Sequence, residues 1–152
     1  MDIAVRGLNA GLMLVLPLAL GVILARRLQL KWRLFAAGAG TFLFSQLLHL
    51  PFNQFLLLPG LETAGVGPAG GVGVQLQYAL AVGLSAGLFE EVSRFLVLRF
   101  GLKSARSWRE ALMYGAGHGG VEAILVGGVV LVALLQVLAY SAPDALATLS
   151  PD

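Results

Sequence analysis

Four long apolar stretches constrain the fold of this chain more than any other feature. They cover about residues 7–25, 34–50, 75–100 and 110–140. A helix that crosses a bilayer needs about 20 mostly apolar residues, and each stretch reaches or approaches that length. Only 12% of the 152 residues are charged, about half the share usual in a soluble domain. The sequence therefore predicts an all-α membrane protein, with about four transmembrane helices forming a single domain over residues 1–140.

The segments outside the four stretches have the composition of loops and of a tail. Pro51 and Asn53 predict a break after the second stretch, and the apolar patch at residues 55–58 is typical of a re-entrant or interfacial segment. Residues 59–73 are rich in glycine and predict a flexible loop. Residues 141–152 lack an apolar helical period and predict a flexible C-terminal tail.

The basic residues indicate how the chain is oriented. Eight of the ten lie in two loops: Arg26, Arg27, Lys31, Arg33, Arg99, Lys103, Arg106 and Arg109. Cytoplasmic loops of membrane proteins carry such an excess. We therefore expect these loops in the cytoplasm and both termini outside it. The net charge of +2 follows from this topology, so binding of nucleic acid is not expected. The chain has no cysteine, which excludes a thiolate nucleophile and cysteine-ligated metal.

Two groups of ionisable residues interrupt the apolar stretches. Glu90, Glu91 and Arg94 lie in the third stretch, and His118 and Glu122 lie in the fourth. With a rise of about 1.5 Å per residue, the two groups lie at similar depths from the loop that joins their helices. Arg94 can bridge to either glutamate, so we expect it to neutralise one and leave the other available. Charges inside a membrane are costly and usually functional, so these five residues are the candidate catalytic residues.

A structural interpretation competes with the functional one, since a buried ion pair can simply fix helix packing. The surplus of three carboxylates over one arginine favours a site that takes up a proton or a metal ion. We interpret Ser93 as a packing residue and His49, near the predicted helix end, as a weaker candidate. Gly115 and Gly119 have the small-xxx-small spacing that lets another helix approach closely, and they predict such a contact beside His118.

The two charged motifs resemble those of a known family, the YhfC-type intramembrane metalloproteases. These are related to the type II CAAX prenyl endopeptidases and the bacteriocin-processing membrane proteases, together the CPBP superfamily. Glu90, Glu91 and Arg94 match the Glu-Glu pair and following basic residue of that superfamily. Tyr114 and His118 match its aromatic residue four positions before a histidine. Gly119, Gly120 and Glu122 match the continuation found in the YhfC branch.

The resemblance implies a peptidase in a bacterial or archaeal cell membrane that cleaves peptide bonds in or near the bilayer. It implies Glu90 or Glu91 as general base and a divalent metal such as zinc, for which Glu91, His118 and Glu122 are the candidate ligands. The superfamily also carries a histidine on a later helix, whereas no histidine follows His118 here. We therefore expect a short, incomplete or inactive form.

Other functions are compatible with the same residues. Intramembrane acids and a histidine also serve proton- or cation-coupled transporters and channels. A third possibility is a non-catalytic assembly subunit that retains the fold. The expected partners are the lipid bilayer, a membrane peptide or protein substrate, and either a second copy of the chain or missing helices that complete the bundle.

Overall fold

A computed structural model describes residues 3–140, and this part of the chain is almost entirely helical. The helices are α1 (Ile3–Leu28), α2 (Trp32–Phe52), α3 (Leu58–Thr63), α4 (Val72–Leu96) and α5 (Trp108–Tyr140). A π-helical turn, Asn53–Leu57, joins α2 to α3, and a second, Val97–Gly101, extends α4. Four continuous helical segments are long and apolar enough to cross a membrane. The predicted all-α membrane bundle is therefore confirmed, whereas the predicted tail at residues 141–152 lies outside the described residues.

Helix α5 is the central element of the bundle. It packs against α1 on one side and against α2 on the other, and α4 packs mainly against α2. Ser93 is the one residue of α4 that is buried. Large apolar side chains are exposed along all four long helices, as expected for surfaces that face lipid. Helix α4 is therefore held in the bundle mainly by α2.

The second membrane segment differs from the prediction. No break follows Pro51: the helix continues through a π-helical turn at Asn53–Leu57 and ends at Thr63. Proline lacks a backbone N–H, and the wider turn lets the chain pass this point without leaving the helical path. The expected re-entrant patch at residues 55–58 is thus part of a long helix, and the predicted loop is shortened from its N-terminal side.

Close helix packing occurs at glycines other than the predicted pair. A Cβ atom on Gly117 would collide with the backbone carbonyl of Phe35, and one on Gly38 would collide with that of Tyr114. At these two points α5 and α2 cross backbone to backbone, and small residues permit such a crossing.

The expectation for Gly115 and Gly119 was wrong, because no atom of another helix in residues 3–140 lies within 4 Å of a Cβ placed on either. Residues two apart on a helix are about 200° apart around its axis. The face of Gly117 therefore meets α2, and the face of Gly115 and Gly119 does not.

The start of α5 agrees with the sequence. The backbone N–H of Glu110 donates a 3.3 Å hydrogen bond to Ser107 Oγ, and the Ser107 N–H donates a 3.1 Å bond to the Glu110 carboxylate. This reciprocal pair is a capping box, which satisfies N–H groups that the first helical turn leaves free. Ser107 is therefore the N-cap of α5.

Candidate functional site

The centre of the candidate site is a histidine–glutamate pair between α5 and α4. His118 is only 4% exposed, and its Nε2 lies 3.4 Å from Oε2 of Glu90. With Glu90 ionised and the imidazole neutral, the carboxylate accepts this bond from Nε2–H, and the lone pair then lies on Nδ1. That Nδ1 atom is buried and has no hydrogen-bond partner within residues 3–140. The prediction that Glu90 and His118 lie at the same depth is confirmed.

Arg94 distinguishes the two neighbouring glutamates. Its Nη2 lies 2.6 Å from Oε1 of Glu91 and 3.6 Å from Oε2 of Glu90. The Glu91 side chain is 72% exposed, compared with 20% for Glu90. The guanidinium therefore neutralises mainly Glu91. Glu90 keeps its contact with His118, which is the division of roles that the spacing of the three residues predicts.

Side chains of α2 hold the imidazole of His118 in place. The ring of Phe42 stands perpendicular to it, with 5.3 Å between ring centroids. One helical turn earlier on α5, the hydroxyl of Tyr114 donates a 2.9 Å hydrogen bond to Oγ1 of Thr41, and Thr41 in turn donates to the carbonyl of Ala37 at 2.7 Å. These contacts fix the rotation of α5 at the site. Thr41 and Phe42 were not identified from the sequence, where they read as ordinary residues of an apolar stretch.

The predicted metal ligands are not brought together. Glu91 pairs with Arg94, and Glu122 is exposed on α5. Across residues 3–140 no group of three histidine, aspartate or glutamate side chains is placed to hold a metal ion. The roles of Glu91, His118 and Glu122 as ligands therefore stay predictions, as does a catalytic role for Glu122.

A second polar cluster, centred on a buried histidine, joins α2 to α4. His49 is 5% exposed, and its Nε2 lies 3.0 Å from Oγ of Ser85. Ser85 Oγ also lies 3.2 Å from Oδ1 of Asn53. The ring of Phe89 lies beside the imidazole, at 5.3 Å between centroids. His49 is therefore a buried, hydrogen-bonded residue in the middle of a long helical segment, and the expectation of a histidine near a helix end was wrong.

The sequence contained a usable signal for this cluster. His49 and Asn53 are four residues apart, and so are Ser85 and Phe89, so each pair shares one helix face. The predicted break at Pro51 obscured the first pair, because it separated Asn53 from the helix of His49.

The comparisons with known proteins agree with the resemblance of the motifs. Residues 12–150 match the model of a family described as the YhfC intramembrane metalloprotease. A protein of Bacillus subtilis (strain 168), described as the uncharacterized membrane protein YhfC, is 34% identical over 129 residues. The match covers 84% of this chain and 48% of that protein, so the chain spans about half the length of its relative. No solved structure matches significantly. The chain belongs to the YhfC intramembrane metalloprotease family.

Proposed function

We propose that the chain contributes the general base to the active site of an intramembrane peptidase. The observation that carries the proposal is the 3.4 Å contact between Glu90 and the buried His118 inside two membrane-spanning helices. An ionisable pair at that depth is costly to keep and is typical of a functional site. The family description, which names a protease, supplies the type of reaction.

The arrangement suits hydrolysis of a peptide bond by a bound water. The Glu90 carboxylate takes one proton from the water while the water oxygen adds to the scissile carbonyl carbon. The C–N bond then breaks as the same proton passes from Glu90 to the leaving nitrogen, which yields an acid and an amine. His118 orients Glu90 through its Nε2–H, and Arg94 balances the charge of Glu91, so that Glu90 remains the free base.

The family description implies a metal ion, but the described side chains do not fit one. A catalytic zinc site uses three protein ligands and a water. Of the four candidate histidine and glutamate residues in this part of the chain, only Glu90 and His118 are within hydrogen-bond distance of each other, while Arg94 holds Glu91. Glu90 and His118 therefore carry the proposed steps by themselves. A divalent metal such as zinc remains the cofactor to test.

We further propose that additional helices cover the site, from a second copy, from another chain or from a longer form of this protein. Glu91 and Glu122 are exposed on membrane-spanning helices, where lipid cannot solvate a carboxylate. The length of the relative, about twice the matched length, also leaves room for more helices. A membrane peptide or protein is the expected substrate.

Membrane vesicles from the source organism that overproduce the chain provide the test, because any partner is present in them. A library of membrane-spanning peptides should be cleaved by wild-type vesicles, and Glu90→Gln should remove that activity. Glu91→Gln is the matched control and should retain most of it. Mass and metal content of the purified assembly identify a partner and a metal. Equal cleavage by wild type and Glu90→Gln would refute the proposal.

The same vesicles separate two other candidate functions. A proton- or cation-coupled transporter would show ion flux that Glu90→Gln alters, without peptide cleavage. The second intramembrane histidine, His49, is the observation that favours this reading. A non-catalytic assembly subunit would show neither activity, and the substitution would change only the association of the chain with its partners.

A further inference from the structure

The cluster of His49, Asn53 and Ser85 has no role in the proposed hydrolysis, yet it lies between two membrane-spanning helices, with His49 buried and the other two residues half-buried. Ser85 has a single hydroxyl proton, and two acceptors lie near its Oγ: the carbonyl of Val82 at 2.9 Å and Oδ1 of Asn53 at 3.2 Å. With its proton directed to one of these two acceptors, Ser85 Oγ accepts from Nε2–H of His49, and in that tautomer Nδ1 is unprotonated. Nδ1 of His49 is left with a lone pair.

That lone pair is an available hydrogen-bond acceptor inside the membrane. Nδ1 of His49 is buried and has no partner among the residues from 3 to 140. A buried unpaired acceptor is unfavourable, and the neighbouring π-helical turn at Asn53–Leu57 is a distortion often found at functional sites. Both observations point to a ligand that donates a hydrogen bond here.

An unwound peptide is such a ligand. A helical substrate must open before a peptide bond in it can be attacked, and its freed N–H groups then need acceptors that lipid does not supply. Ser85 and Glu90 are five residues apart on α4, which is about 7.5 Å along the helix. An extended peptide advances about 3.3 Å per residue. Along the helix axis the two sites are thus offset by about two residues of extended substrate, while Ser85 and Glu90 lie about 140° apart around α4.

We propose that His49 Nδ1 accepts a hydrogen bond from a substrate backbone N–H about two residues from the scissile bond, with Ser85 and Asn53 fixing the imidazole. This inference rests on the proposed peptidase function. Phe89 flanks this position, because its ring lies 5.3 Å from that of His49 and 5.1 Å from that of Phe52.

Backbone ester substitution tests the proposal, since it replaces one N–H by oxygen and removes one donor. A membrane-spanning peptide is made with an ester at each position in turn, and its dissociation constant is measured in the vesicles described above. With wild type, one position about two residues from the cleaved bond should weaken binding by about 3- to 10-fold. His49→Phe should weaken binding of the all-amide peptide similarly and abolish that positional effect. His49→Gln, which keeps an acceptor, should restore it.

The outcomes separate this inference from the peptidase proposal. A positional effect that persists in His49→Phe, or a wild-type scan without any sensitive position, overturns the role of His49 while cleavage of the all-amide peptide continues. Absence of both binding and cleavage in wild type refutes the peptidase proposal and this inference with it. If His49→Phe does not fold, as shown by its thermal unfolding in detergent, the wild-type scan and His49→Gln decide the question.

Discussion

The hydroxyl of Tyr114 donates a 2.9 Å hydrogen bond to Thr41 Oγ1 and so ties α5 to α2 one turn before His118. Both residues are buried, and no apolar neighbour can replace the bond. The rotation of α5 that directs His118 towards Glu90 therefore depends on a contact made on a different helix.

Loss of the acceptor Thr41 should lower the free energy of unfolding more than loss of the donor Tyr114. Thr41→Val removes the acceptor and leaves a buried hydroxyl unpaired, so we expect the free energy of unfolding to fall by about 1–3 kcal/mol. Tyr114→Phe should cost less, because Thr41 still donates to the carbonyl of Ala37. Unfolding in detergent, followed by circular dichroism, measures both. A larger loss for Tyr114→Phe would contradict this account.

Gly117 and Gly119 offer a matched pair of substitutions in α5. Gly117→Ala places a methyl group against the backbone carbonyl of Phe35, and overpacking of this kind costs about 1–3 kcal/mol. Gly119→Ala meets no atom within 4 Å and should be neutral or stabilising by up to about 1 kcal/mol, since alanine favours helix. The unfolding midpoint in detergent distinguishes them. Equal effects would mean that the α2–α5 crossing does not lie at Gly117.

Arg94 should stabilise the protein through the shape of its guanidinium as well as its charge. Arg94→Met leaves Glu90 and Glu91 without a cation, and loss of a hydrogen bond to a charged group costs about 1.5–3 kcal/mol. Arg94→Lys keeps the charge and should recover only part of the stability, because the ammonium ends a shorter side chain than does Nη2, the guanidinium nitrogen that contacts both carboxylates. Thermal unfolding of the two variants checks this. Full recovery by lysine would show that charge alone matters.

The predicted orientation can be tested by labelling single cysteines introduced into the natural sequence, because the chain has no cysteine of its own. Gln29→Cys and Ser104→Cys should react with a membrane-impermeant maleimide only after the cytoplasmic face is opened. Gly67→Cys, in the loop before α4, is the control and should react in intact cells. Labelling of Gln29→Cys and Ser104→Cys in intact cells would show that the orientation is opposite to the predicted one.

The sequence by itself determined the number of spanning helices and the pair of motifs that carry the charges. These properties depend on local composition, because about 20 apolar residues span a bilayer in any fold. A charged residue inside such a run can be recognised from the sequence whichever helix it packs against. Spacing along each helix also sufficed to place Glu90 and His118 at one depth, because the rise per residue is constant.

Only the tertiary structure decided which side chains meet. Adjacent residues on a helix differ by about 100° in direction, so Glu90 reaches His118 while Glu91 lies exposed beside Arg94. For the same reason Gly117, and not Gly115 or Gly119, meets α2. The π-helical turn after Pro51 keeps Asn53 in the helical path, and this joins it to Ser85 and His49. Helix rotation, crossing point and local winding are set by contacts between distant segments, which periodicity along one segment does not encode.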